Sequence, residues 1–227
     1  VFQDVHWEAH RLALNRNRTH RTILIKHIHG LTPVGRMIRR YGIKYSAACP
    51  SCGCDEETCK HLTQCPAEPR NQWRLQFITK LRQLLDKLDT HPQRQQLLVE
   101  AMYHVIRGIP EHPAPFPFQD FGLHEVFIAQ DDIGWDQLLL GRFSTHWAKV
   151  QDDHLGPRAT KTKNGTTWAT SVIAFIFQEW YQLWLLRNGD KHGTDRTTKA
   201  AASKAQVERE VQQLYAIKPT VPNTLHY

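Results

Sequence analysis

The chain has 227 residues, 41% of them apolar and 22% charged, with seven Trp and nine Phe. That balance excludes wholesale disorder and leaves room for one or two packed domains. The formal net charge is +7, and no apolar run approaches the ~20 residues needed to cross a bilayer.

The charge is unevenly placed. Residues 1–48 hold nine Lys/Arg against two acids, Asp4 and Glu8, and so carry the whole formal excess. The N-terminal Val1-Phe2-Gln3-Asp4 lacks a basic region followed by an apolar one, and lacks an initiator Met. It reads as no secretory signal, and the chain as a fragment or tail of a longer intracellular polypeptide of the nucleus or cytoplasm.

A first helix is expected over Trp7 to Asn15 and a second over Arg21 to Ile28, with Gly30 and Pro33 breaking the chain. Val34, Met37, Ile38 and Tyr41 share a helical face, and Gly42 supplies a stop. Across these elements run Arg16, Arg18, Arg21, Lys26, Arg36, Arg39, Arg40 and Lys44, interleaved with His20, His27 and His29. A basic stretch of this kind suits phosphate contacts and points to a nucleic-acid partner, RNA or DNA. Plain solubility or an acidic protein partner accounts for the same charges.

All five cysteines then fall within 17 positions: Cys49-Pro-Ser-Cys52-Gly-Cys54-Asp-Glu-Glu-Thr-Cys59-Lys-His61-Leu-Thr-Gln-Cys65. So dense and odd a set suggests a metal rather than a disulfide framework. The two-residue gap between Cys49 and Cys52 lets one turn aim two thiolates at a point. The three-residue gap between His61 and Cys65 places both on one face of a helical turn, and eight residues join the pairs. Cys49, Cys52, His61 and Cys65 are the expected ligands of a closed, structural Zn2+ site. Cys54 and Cys59 are bystanders or replace a ligand. A redox Cys-Pro-Ser-Cys would follow a buried strand, and Lys44 to Ala48 makes a poor one.

Beyond Pro66 and Pro69, Trp73, Phe77, Leu81, Leu84, Leu85 and Leu88 form a helical stripe. A second begins at Pro92 and closes at Gly108. Pro110 to Pro117 holds four prolines and reads as a linker. One helix is expected over Ile133 to Val150, and Gly156 to Gly165 is a basic loop. A strong helix follows over Thr167 to Arg187, with its Trp-rich row in the core. Arg187, Asn188 and His192 serve as C-terminal caps, and a last helix runs from Thr197 to Tyr215. The pairs Asp131-Asp132 and Asp152-Asp153 lack the preceding aromatic residue and flanking strands of a polymerase turn, and read as helix caps or flanks. The fold class is mainly α, a small zinc-stabilised module followed by a helical domain. Its segments are a basic arm with the metal module (1–66), a helical hairpin (67–109), the linker (110–117) and a C-terminal helical region (118–227).

The region from about residue 18 to residue 66 resembles the zinc-binding segment that follows the polymerase domain of non-LTR retrotransposon reverse transcriptases. The residues that carry the likeness are Leu31-Thr32-Pro33, the arginine-bearing helix to Tyr41, Cys49-Pro-Ser-Cys52, and His61-Leu-Thr-Gln-Cys65. Gln130 to Trp135 with Gly141-Arg142, and Trp184 to Asn188 with His192-Gly193, resemble C-terminal segments of reverse-transcriptase-related proteins from protist genomes. The resemblance implies a nucleic-acid-binding, non-enzymatic tail whose polymerase domain lies upstream, with the zinc ligands at Cys49, Cys52, His61 and Cys65.

Overall fold

Proline and glycine punctuation sets most of the helix boundaries. The computed structural model describes residues 2–42, 45–110 and 121–217, with the side chains of all but 121, 213 and 217. In chain order the α-helices are α1 (Trp7–Arg16), α2 (Arg21–Ile28), α3 (Gly35–Arg39), α4 (His61–Gln64) and α5 (Glu68–Lys87). They continue with α6 (Pro92–Arg107), α7 (Phe121–Ile133), α8 (Thr145–Leu155), α9 (Gly165–His192) and α10 (Arg196–Ile217). Short 3-10 turns occupy Phe2–Asp4, Arg18–His20, Trp135–Leu140 and Gly156–Arg158. Among the described residues the only β pairing is an isolated bridge between Val5 and Ser144. The mainly α expectation therefore holds.

Helices α5 and α6 follow the sequence closely. Each has a proline in its first turn, where a missing N–H costs nothing. Gly108 ends α6 in the left-handed region, at φ +69°. The expected single helix over 133–150 is instead broken. Gly134 (φ +101°) and Gly141 (φ +72°) both adopt conformations that terminate helices, and a 3-10 segment lies between them. At Gly141 a Cβ would lie 2.6 Å from Phe177 Cζ, so only glycine fits. Gln130 secures this corner, being fully buried with every amide capacity used. Its Oε1 accepts from the Ser144 N–H (3.0 Å) and Trp147 Nε1 (3.1 Å), and its Nε2 donates to the Gly134 and Arg142 carbonyls. Asp131 accepts from Trp135 Nε1 at 2.8 Å, and Asp152 from the Gly165 N–H at 2.6 Å. The two aspartate pairs thus lie in helices, and their leading members are committed to local structure. The linker expected over 110–117 lies outside the described residues, except for Pro110.

The chain forms two compact units that interleave along the sequence. The first comprises residues 1–32 and 59–183, the second residues 33–58 and 184–227. In the first unit, Phe77, Leu81 and Leu85 of α5, Leu97, Leu98 and Met102 of α6, and Val172, Ile176, Phe177 and Trp180 of α9 are all buried. Trp73 Nε1 donates to the Glu179 carbonyl (3.0 Å), and Trp168 Nε1 to Thr90 Oγ1 (2.8 Å). Trp73 and Trp168 are thus core residues with satisfied donors. α1 and α2 belong to this core too, through Ala9, Ala13, Leu24 and Ile28. His27 stacks on Trp180, with ring centroids 3.9 Å apart, and bonds the Leu139 carbonyl at 3.1 Å. That bond makes Nε2 the protonated nitrogen of a neutral ring.

The second unit is organised around Glu57, whose side chain is fully buried. Its carboxylate receives Arg187 through Nε (2.9 Å) and Nη2 (2.6 Å), a two-pronged pair. It also accepts the Gly35 N–H at 2.7 Å, at the start of α3. The backbone of Glu57 donates to Ala47 and accepts from Arg36. Arg187 is therefore an ion-pair partner inside α9, not the C-terminal cap expected of it. A Cβ on Gly35 would lie 2.2 Å from the Ala47 oxygen, so that close approach requires glycine.

Two stability tests follow from these buried groups. Removing one partner of the Glu57–Arg187 pair strands a buried charge, so Arg187→Met should cost about 3–5 kcal/mol in urea unfolding. Pairing it with Glu57→Gln should return part of the loss, and two additive losses would contradict the coupling. The second test concerns His27, which burial holds down to a pKa of about 4 against an ordinary 6.5. The unfolded chain takes up this proton near pH 6.5 and the folded chain only near 4. Stability is therefore full above 6.5 and falls as the pH drops through that window, by about 3 kcal/mol in all. His6 and His10, also depressed by burial, act in the same direction. The difference between wild type and His27→Phe, measured by denaturant unfolding from pH 7 to 4, isolates the His27 share. The variant should start lower and lose less.

Candidate metal centre

The cysteine segment begins as a tight turn. The Cys49 N–H donates to the Cys54 carbonyl (2.9 Å), and the Gly53 N–H donates back to the Cys49 carbonyl (2.9 Å). Gly53 sits at φ +76°, a conformation that lets the chain reverse immediately after Cys52. Glycine is the residue that permits both neighbouring cysteines to face the same way. The Ser51 hydroxyl donates to Asp190 at 2.6 Å and holds the turn within its unit. His61 opens α4.

Cys49, Cys52, Cys54 and His61 each offer one ligand atom, and all four atoms lie within 4.8 Å of one another. In a tetrahedral site with ~2.3 Å metal–sulfur bonds, neighbouring sulfurs stand roughly 3.8 Å apart. The cluster therefore has dimensions that a single ion can draw together. Four protein ligands fill a tetrahedron and leave no open position, which is the arrangement of a structural site. The thiols crowd one another: partial burial, and then the hydrogen bond and charge of Cys52 and the charge of Cys49, push the Cys54 thiol up. A bound cation reverses that balance and holds the sulfurs as thiolates.

Cys49, Cys52 and His61 of the expected ligand set are in this group, together with Cys54. Cys65 is the C-cap of α4. It is buried, and its carbonyl accepts from Arg74 Nη2 at 3.0 Å. Cys59 lies elsewhere, its Sγ directed at the Gly30 carbonyl at 3.6 Å. The cue for Cys54 was in the sequence: a glycine between two cysteines permits the reversal that brings the second one back.

The basic residues divide between the units. Arg16, Arg18, Arg21 and Lys26 belong to the first, Arg36, Arg39 and Arg40 to the second, and all seven are exposed. Lys44 lies outside the described residues. On α2 the exposed side presents Arg21, Thr22, Ile25, Lys26 and His29, opposite the buried Leu24, His27 and Ile28. Arg16 donates to Ser171 Oγ at 2.9 Å, Arg36 pairs with Glu56 at 3.5 Å, and Arg39 donates to the Tyr45 carbonyl at 3.1 Å. The basic stretch is thus folded into helices.

Compared with known protein families, curated proteins and solved structures, the chain matches none. Among the described residues, no helix is long and apolar enough to cross a membrane.

The clustered ligand set has a direct test. Cys54→Ser should sharply lower bound metal after purification in a metal-containing buffer, as should Cys49→Ser, while Cys65→Ser should keep it. Cobalt(II) titration reads this through the thiolate charge-transfer band. A full signal in Cys54→Ser with none in Cys65→Ser would restore the ligand set expected from spacing.

Proposed function

We propose that the chain is a zinc-stabilised nucleic-acid-binding module, the C-terminal tail of a retrotransposon-type reverse transcriptase. The convergence of Cys49, Cys52, Cys54 and His61 within 4.8 Å carries this reading. Three thiols and an imidazole are a donor set that favours zinc over the harder divalent ions, which prefer oxygen. When bound, the ion supplies a rigid cross-link and no chemistry of its own. The protein residues fix the turn through the Cys49–Cys54 backbone pair.

The nucleic-acid part rests on the exposed cations. Arg18, Arg21 and Lys26 stand in and beside α2 with no carboxylate partner among the described residues. Its buried face anchors the helix, so these charges are presented on a rigid element. Polymerase chemistry is no part of the proposal; Asp131 and Asp152 accept hydrogen bonds at the ends of their own helices. The family assignment rests on the sequence resemblances over residues 18–66, 130–142 and 184–193. A second reading, a zinc-bound protein-interaction domain, is favoured by one observation: Val207, Val211 and Leu214 form an exposed apolar seam along α10.

Purified chain should contain one zinc by mass spectrometric metal analysis. Its affinity for duplex DNA should fall with salt, with a log–log slope of about −0.9 per phosphate contacted. The triple variant Arg18→Ala, Arg21→Ala, Lys26→Ala should flatten that slope by about two to three units, with little change in sequence preference. Fluorescence anisotropy at several salt concentrations reads both. Binding that is absent at low salt, or indifferent to salt, would remove the nucleic-acid reading and leave the protein-interaction one.

A further inference from the structure

A second group of cations lies in the first unit, largely outside the basic N-terminal third of the sequence. A cleft of about 320 Å3 is lined by Arg16 from the end of α1, Lys87 from the end of α5, and Lys161 and Lys163 from the loop before α9. These residues are more than 70 positions apart in places, so the fold has gathered them. Like charges brought together repel, and such a gathering is retained at a cost unless an anion shares the space.

The cleft is also built rather than loose. Its floor is Gln151, 1% exposed, whose Nε2 donates to the Leu88 and Asp89 carbonyls (3.4 and 3.0 Å). Asp89 lies at this edge, and two cations hold it: Arg158 at 2.7 Å and Lys163 at 2.9 Å. His154 approaches it at 3.6 Å. The loop is pinned by Thr167 Oγ1, which donates to the Thr162 and Asn164 carbonyls, and by Asn164 Oδ1, which accepts the Thr167 N–H. Arg16 is oriented by Ser171 Oγ. With Asp89 already committed, Lys87 and Lys161 have no carboxylate partner among the described residues. The first amides of α9 are taken up internally, by Asp152 and Asn164, so the attraction comes from side-chain charge.

We propose that this cleft is a phosphate-binding site for the backbone of a nucleic-acid strand, with Lys87 and Lys161 as its principal contacts and Arg16 as an oriented third. The proposal rests on the nucleic-acid reading above and adds a second contact surface to it. Point-charge ammonium groups on mobile stems suit backbone phosphates and carry no base preference.

The test is anisotropy titration of the full chain with a duplex oligonucleotide across a salt series, comparing wild type, Lys87→Ala/Lys161→Ala, and a control, Lys199→Ala/Lys204→Ala on α10. The first pair should flatten the log–log slope by about 1.8, two contacts at 0.9 each. The control should leave it unchanged. Both pairs are exposed, and an unchanged circular-dichroism melt verifies the fold. If wild type binds with a salt-dependent slope that the Lys87/Lys161 pair leaves intact, the cleft assignment is wrong and the nucleic-acid reading survives. A control pair that flattens the slope equally also overturns the cleft, since any two lysines would then do. If wild type does not bind at all, both fall together.

Discussion

The buried Glu57–Arg187 pair is the constraint on which the second unit depends. A carboxylate with no solvent exposure needs every one of its acceptor sites used. Here a guanidinium fork supplies two donors and the Gly35 amide a third. One residue from the spacer between the cysteines thereby ties α3, the 45–48 stretch and the end of α9 together. The turn from Cys49 to Cys54 is carried on the same segment, eight positions or fewer from Glu57. An ion pair of this sort is weak evidence for net stability, because desolvation offsets much of its attraction. Its value here is directional: a fork and a carboxylate accept few relative orientations.

That constraint explains why so short a cysteine segment can be ordered with little apolar core of its own. Small metal modules commonly derive their folding free energy from the ion. In this chain the segment has a second source of order, the hydrogen bonds that converge on Glu57 and the Ser51–Asp190 contact. The turn that carries the Cys49, Cys52 and Cys54 sulfurs is therefore held by the polypeptide before any ion is considered. Preorganisation of that kind raises affinity by removing ordering costs from the binding step.

Much of the helical architecture was legible in the sequence, because apolar period and Pro/Gly punctuation are local signals. α5 and α6 show this well, from Pro69 and Pro92 to Gly108. What escaped was decided elsewhere in the chain. Residues 133–150 carry apolar spacing compatible with one helix, yet Gly134 and Gly141 break it, since Phe177 and Ile173 occupy the space a side chain at 141 would need. Arg187 looked like a helix terminator because its partner is 130 residues away. For the metal centre, Cys49, Cys52 and His61 were legible from spacing. Cys54 joins them in the cluster through the reversal at Gly53.

The same distinction between local and gathered features bears on the cations. The N-terminal third drew attention because its charges are consecutive in sequence, but consecutive charge is a weak guide to a shared surface once helices interleave. Arg16 through Lys26 and Arg36 through Arg40 fall in different units. By contrast, Arg16, Lys87, Lys161 and Lys163 are dispersed in sequence and line one cleft. Their assembly required α1, α5 and the loop before α9 to end at the same place, which is a product of core packing rather than of composition. Repulsion among gathered charges opposes that packing, whereas charges that are merely adjacent in sequence splay into solvent at little cost. For this reason the dispersed set carries the stronger implication of an anionic ligand, though the sequence concentrates its formal charge elsewhere.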